Sequence, residues 1–120
     1  MGAPVVPNLS VFKTQEDALC ALVERLVTGL DPQSVWLFGS RARGDARPDS
    51  DFDILVVAKP DGRFGSDDYE AADNCVRDLR IGCDVVPCAA NDFLDGVALA
   101  TSFVSQVVRE GRRVYMAGQS

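Results

Sequence analysis

The sequence predicts an α/β sandwich built on a small sheet. Three observations predict it. Stretches with apolar residues at helical spacing alternate with short, nearly continuous apolar runs, giving the order α-β-α-β-α-β-α. The joints between them are rich in Gly, Pro, Asp and Ser, the residues of turns. No repeat or low-complexity tract interrupts the pattern, and 120 residues make one domain.

Residues 1–13 read as an arm carrying two prolines, short and flexible. Thr14 then caps a helix, with Asp17 in the position of a capping-box acid. Leu19, Leu22, Val23, Leu26, Val27 and Leu30 form its apolar face, and Gly29 and Pro32 are expected to stop it. Residues 34–38 (SVWLF) fit a buried strand. Residues 39–50 form a loop, with room for one helical turn after Ser40. Phe52 to Ala58 is the second strand, followed by the turn Lys59-Pro60-Asp61-Gly62.

Ser66 is placed to cap a helix over 67–81 with Tyr69, Ala72, Val76 and Leu79 inward, ended by Gly82. Residues 83–86 make the third strand, closed by Pro87. Asn91 caps a short turn to Leu94, and a last helix runs from Val97 to Glu110, ended by Gly111. Val114 and Tyr115 pack back on the body. The domain is therefore expected over 14–116, with 117–120 as a tail.

Composition removes whole classes of function. Lys and Arg number 12 against 18 Asp and Glu, for a net charge of −6. That balance argues against broad binding to nucleic-acid backbones, which needs a basic face. No apolar run approaches the ~20 residues of a membrane helix, and the start lacks the pattern of a secretory signal. Gly2 suggests myristoylation, but Val6 stands where that motif wants Ser or Thr. Cys20, Cys75, Cys83 and Cys88 include no CxxC pair, so free, mostly buried thiols in a reducing cytoplasm are expected. The sequence has no histidine. Ser-His-Asp and Cys-His triads, His-ligated zinc and histidine acid–base chemistry are thereby excluded. Catalysis in this chain must run on carboxylates, metal ions and arginines.

The informative stretch is 39–53, GSRARGDARPDSDFD. Arg41, Arg43 and Arg47 stand there beside Asp45, Asp49, Asp51 and Asp53, both signs dense in one place. Gly39 and Ser40 follow a strand directly. A glycine lets backbone approach a phosphate, free N–H groups at a helix start attract anions, and Ser40 adds a hydroxyl donor. Asp51 and Asp53 lie two apart at the start of the next strand, on one face. Paired carboxylates there suit Mg²⁺, a hard cation that takes oxygen ligands together with substrate phosphates.

Asp84 repeats the logic on the third strand. Alone it reads as an edge-strand charge or an arginine's partner. Beside Asp51 and Asp53 it would complete a triad whose mutual repulsion calls for cations, the physical case for a two-metal site. At ordinary residue frequencies the Gly-Ser and Asp-x-Asp pairs meet at this spacing by chance in about one such chain per thousand.

Gly39-Ser40, ten residues, then Asp51-Phe52-Asp53 resembles the signature of the DNA polymerase beta-like nucleotidyltransferase superfamily. The fuller string GSRARGDARPDSDFDILV is similar to that of the prokaryotic minimal nucleotidyltransferases. The resemblance takes in Asp84 as third carboxylate and, loosely, the ending REGRRVY at 109–115. It implies a small mixed β-sheet flanked by α-helices, with the site at one sheet end. It implies Asp51, Asp53 and Asp84 as catalytic metal ligands for two Mg²⁺ ions, with Asp84 also helping to deprotonate the attacking hydroxyl. Gly39 and Ser40 would hold the β- and γ-phosphates of ATP or another NTP. Arg41 and Arg43 would contact the triphosphate or form a salt bridge shaping the loop.

Minimal members resemble antitoxins paired with a helical HEPN toxin, whose tyrosine they adenylylate. Protein AMP-transfer to such a partner is the reading this implies. Two alternatives stand beside it: nucleotidylation of an antibiotic such as an aminoglycoside, with a second subunit of a homo-oligomer completing the site, and a non-catalytic module that neutralises its partner by contact.

Overall fold

The computed structural model describes residues 5–118. The Gly2 reading, with the rest of 1–4, and the last two residues of the expected tail lie outside them. The chain runs α1 (Gln15–Leu30), β1 (Ser34–Phe38), α2 (Ser40–Arg43), β2 (Phe52–Val57), α3 (Tyr69–Val76), β3 (Cys83–Cys88), α4 (Ala90–Ala98), α5 (Phe103–Glu110) and β4 (Arg112–Met116). The strands form one sheet in the order β3-β2-β1-β4. β1 is antiparallel to both β2 and β4, and β2 is parallel to β3. The sheet is therefore mixed and α/β, as expected.

Two apolar layers hold it. On one face Val35, Leu37, Phe52, Ile54, Val56 and Val85 pack against Leu19, Leu22 and Leu26 of α1 and Ala72 and Val76 of α3. On the other, Leu55, Val57 and Cys88 meet Val107 of α5, with Trp36, Phe38 and Phe93 around them. Successive strand residues point to opposite faces, so β2 is apolar on both. That explains why its run is continuous rather than alternating.

The ends of the elements depart from expectation in ways that local chemistry explains. Thr14 does cap α1, its hydroxyl accepting from the Asp17 N–H at 3.1 Å. The helix passes through Gly29, however, and stops at Asp31, which is left-handed at φ 48°. Gly29 is small for another reason: a Cβ there would stand 2.5 Å from the Cys75 sulfur, where α3 crosses α1. Ser66 does not cap α3. Its hydroxyl donates to Asp92 at 2.6 Å and accepts from the Ala89 N–H at 2.9 Å, while Asp68 precedes the helix. α3 closes in a 3₁₀ turn over Arg77–Leu79, and left-handed Arg80 at φ 56°, not Gly82, ends it.

β3 continues through Pro87 to Cys88. A proline is tolerated because β3 is an edge strand, with no neighbour on its outer side for the missing N–H to serve. The long helix expected from Val97 is two helices. Leu99 is extended, and the Ser102 hydroxyl accepts from the Ser105 N–H at 2.9 Å to start α5 afresh. After Gly111 the chain forms a fourth strand, with Val35 opposite Tyr115. All four cysteines are free, as expected, but Cys88 alone is buried and Cys20 is exposed. No described helix is long and apolar enough to cross a membrane.

Candidate active site

The expected site residues gather at one end of the sheet. Asp53 is the second residue of β2, with Phe38 opposite it on β1 and Asp84 opposite it on β3. Strand alternation aims both carboxylates at the face occupied by α5. Asp53 is partly buried and Asp84 exposed. Burial pushes the Asp53 carboxyl above its ordinary value, the charges of Asp84 and Asp51 push the same way, and Arg43 pulls it back. Asp51 is exposed on the residue before β2. One of its oxygens lies 2.5 Å from where a Cβ on Gly82 would stand, so a side chain at 82 would displace it.

Gly39 bridges β1 and α2 in a backbone conformation of φ 72°, ψ −157°. Only glycine adopts that region readily. A Cβ there would run into the Asp53 carboxylate, with the Asp53 Cγ 3.1 Å away. The loop expected to cradle phosphates therefore lies directly on the carboxylate expected to bind metal. Ser40 opens α2 and is partly buried. Beside them, Phe38, Gly39, Arg43, Phe103, Gln106 and Glu110 line a small cleft of about 140 Å³.

The two arginines differ. Arg41 is 8% exposed, and all three of its guanidinium nitrogens are engaged within the protein. Nε and Nη2 donate to the Ser50 carbonyl at 3.1 and 2.8 Å, Nη2 also to Pro48 at 2.9 Å, and Nη1 to the Gln15 side chain at 3.1 Å. Its plane covers the Phe52 ring, 4.3 Å from the centroid. Burial lowers its pKa, and Asp49 and Asp51 oppose that. The loop is thus shaped by Arg41 through carbonyl acceptors rather than a salt bridge. Arg43 is exposed and pairs with Asp45 at 3.2 Å. It also lines the cleft beside Gly39.

Two participants are missed by the sequence reading. Asn8 lies in the arm, yet its side chain bonds the carbonyls of Ser50 and Gly82 and accepts from the Gly82 N–H. Gly82 reads from sequence as a helix stop, but it serves as the narrow seat between Asn8 and Asp51.

The donor set fits a hard divalent cation. It offers carboxylate oxygens without a thiolate or imidazole among the residues expected to bind metal, and Asp53 is held among like charges that a cation would neutralise. As the side chains stand, no group of three or more His, Cys, Asp and Glu is gathered closely enough to hold an ion among the described residues.

A family model for the nucleotidyltransferase domain matches residues 17–114. The chain belongs to that family. This nucleotidyltransferase is also similar to solved structures. A Sulfolobus solfataricus protein assigned to the nucleotidyltransferases is 24% identical with a TM-score of 0.55, covering 85% of this chain and 81% of that one. A toxin–antitoxin structure with AMP-PNP is 26% identical with a TM-score of 0.53, covering 88% and 77%. A mutant of the toxin–antitoxin pair MntA–HpeT is 23% identical with a TM-score of 0.51 over the same shares. No curated protein matches this nucleotidyltransferase significantly.

Proposed function

We propose that this nucleotidyltransferase moves AMP from ATP to a hydroxyl of a partner protein, a tyrosine of a helical HEPN toxin, and so acts as its antitoxin. The observation that carries the reading is the close approach of Gly39 to the Asp53 carboxylate, which supports a phosphate loop working beside a metal-binding acid. Gly39 and Ser40 hold the β- and γ-phosphates, and Arg43 reaches the same oxygens. Asp51, Asp53 and Asp84 would hold Mg²⁺, and the two ions would offset the charge of the triphosphate and acidify the acceptor hydroxyl. Asp84, exposed at the edge, accepts the proton of that hydroxyl. The hydroxyl oxygen bonds to the α-phosphorus as the bond to the β-phosphate bridging oxygen breaks, and pyrophosphate leaves.

A solved relative that is a toxin–antitoxin with AMP-PNP supports both the nucleotide and the kind of partner. The surface supports a protein acceptor. No residue of α4 is buried, and Leu94, Val97, Leu99 and Phe103 are exposed together along α4 and the start of α5. Four free cysteines suit a reducing compartment such as the cytoplasm.

The experiment is incubation with α-labelled ATP, Mg²⁺ and the product of the neighbouring gene, followed by mapping of the label. Label on a toxin tyrosine is the expected result. Label on an added aminoglycoside instead would redirect the acceptor to small molecules. Neutralisation of the toxin with no label anywhere would make the protein a binding module.

A further inference from the structure

Asn8 is tied to the site by four hydrogen bonds, and none of them is to its own neighbours in sequence. Its backbone N–H donates to Pro48 at 2.9 Å. Its side-chain Nδ2 spends one hydrogen on the Ser50 carbonyl at 3.0 Å and the other on the Gly82 carbonyl at 2.7 Å. Its Oδ1 accepts the Gly82 N–H at 2.6 Å. The primary amide thus presents itself to Gly82 as a peptide group would, donor to acceptor and acceptor to donor. Few other side chains can do both at once.

The two backbones joined in this way are the ones that deliver the carboxylates. Ser50 immediately precedes Asp51, and Gly82 lies two residues before Asp84. The Gly82 carbonyl also accepts from the Phe52 N–H at 3.1 Å, so Asn8 extends the β2–β3 pairing beyond its last backbone bond. Arg41 donates to the same Ser50 carbonyl. The arm itself is anchored: Leu9 and Phe12 pack against the core, and Phe12 N–H bonds Leu9 across left-handed Ser10 at φ 53°.

We infer that Asn8 is a positioning residue, which with Arg41 sets the separation of Asp51 from Asp84 and thereby the affinity of the carboxylate site for divalent cations. The inference rests on the metal-dependent reading above. It adds that a residue of the N-terminal arm, outside the carboxylate set, tunes the metal.

The test is Mn²⁺ binding to the nucleotide-free protein, read from the free-Mn²⁺ paramagnetic resonance signal. Asn8→Ala should weaken Mn²⁺ binding about tenfold or more. Arg41→Lys, which keeps the charge but loses the fork on Ser50, should weaken it in the same direction and serves if Asn8→Ala does not fold. Leu30→Ala lies at the far end of α1 and should lower the melting temperature while leaving Mn²⁺ affinity unchanged, which separates positioning from general loosening. In turnover, the Asn8→Ala midpoint for metal should shift by the same factor, with the rate at saturating metal largely retained. Mn²⁺ affinity within twofold of wild type in both site variants would overturn the inference. A wild-type protein that binds no Mn²⁺ at all would overturn the metal-site reading beneath it.

Discussion

Asp53 and Asp84 are register partners on the parallel strands β2 and β3, two carboxylates set side by side with no basic residue between them on the sheet. That pairing lies between two strands that otherwise match apolar residue to apolar residue, Leu55 to Val86 and Val57 to Cys88. An arrangement that costs stability by itself is what a site prepared for cations looks like.

The cost gives a direct prediction for Asp53→Asn. Its raised carboxyl means that the folded protein holds more protons than the unfolded chain at pH values between the ordinary 3.8 and the raised value. The charged form is therefore the one that strains the fold, and the Asp53 contribution to stability improves as pH falls through that window. The variant should be as stable as wild type at neutral pH or slightly more so, within about 1 kcal/mol. Urea melts of both proteins without metal should show that gap closing towards about pH 4. Transfer should be abolished, and a folded Asp53→Asn protein with wild-type transfer would sink the mechanism.

Gly39→Ala should fail in a different way. The new methyl meets the Asp53 carboxylate, and the backbone at φ 72° is strained for any side chain. A stability loss of about 1–3 kcal/mol is expected, together with loss of nucleotide binding, measurable by thermal melting and calorimetry on one preparation.

Ser40→Ala is the milder change at the same loop. One hydrogen bond to a charged group contributes about 1.5–3 kcal/mol, and neighbouring backbone donors should share the load. ATP affinity should drop towards the lower end of that range with the fold unchanged. Calorimetry that finds no change would remove residues 39–40 from the phosphate site.

Removing Mg²⁺ tests the carboxylates as a group. With EDTA present, ATP must approach Asp51, Asp53 and Asp84 uncompensated, so titration calorimetry should show binding only when Mg²⁺ is added. Equal affinity in both conditions would count against any metal role.

The thiols provide a check on the fold itself. Burial pushes the Cys83 and Cys88 thiols up to about 11. At pH 8 only about one in a thousand of each is thiolate. Alkylation followed by peptide mass analysis should therefore mark exposed Cys20 first and the two strand cysteines much more slowly, with denaturant removing the difference.

Much of this site is legible in the sequence because its parts are local. Gly39, Ser40, Asp51 and Asp53 fall within one stretch, and the alternation of a strand fixes the relation of the last two. Asp84 is legible as an acid in an apolar run, although its position opposite Asp53 needed the sheet. What escaped depends on contacts between distant segments. Nothing in the arm marks Asn8, whose partners follow it by more than forty residues. β4 escaped because an edge strand carrying Arg112 and Arg113 has no apolar period to read, and its pairing comes from β1. The break at Leu99–Ser102 escaped because Val97, Val104 and Val108 keep a helical rhythm across it, while extended Leu99 and the Ser102 cap interrupt the backbone.

The strand order β3-β2-β1-β4 also bears on how the chain reaches its native state. β1 and β2 are joined by residues 39–51, which include α2, and their antiparallel pairing closes over less sequence than any other pairing in the sheet. β3 can add to β2 only after the whole α3 crossover has been brought round, and β4 must return from the far end of the chain to reach β1. Loop closure over long stretches is the slow part of folding. Topology therefore predicts that the β1–β2 hairpin, carrying Gly39 and Asp53, consolidates first, and that the arrival of Asp84 is among the last events. A nascent or partly unfolded chain would carry the proposed phosphate loop without the proposed third carboxylate, and catalytic competence would report the completed fold.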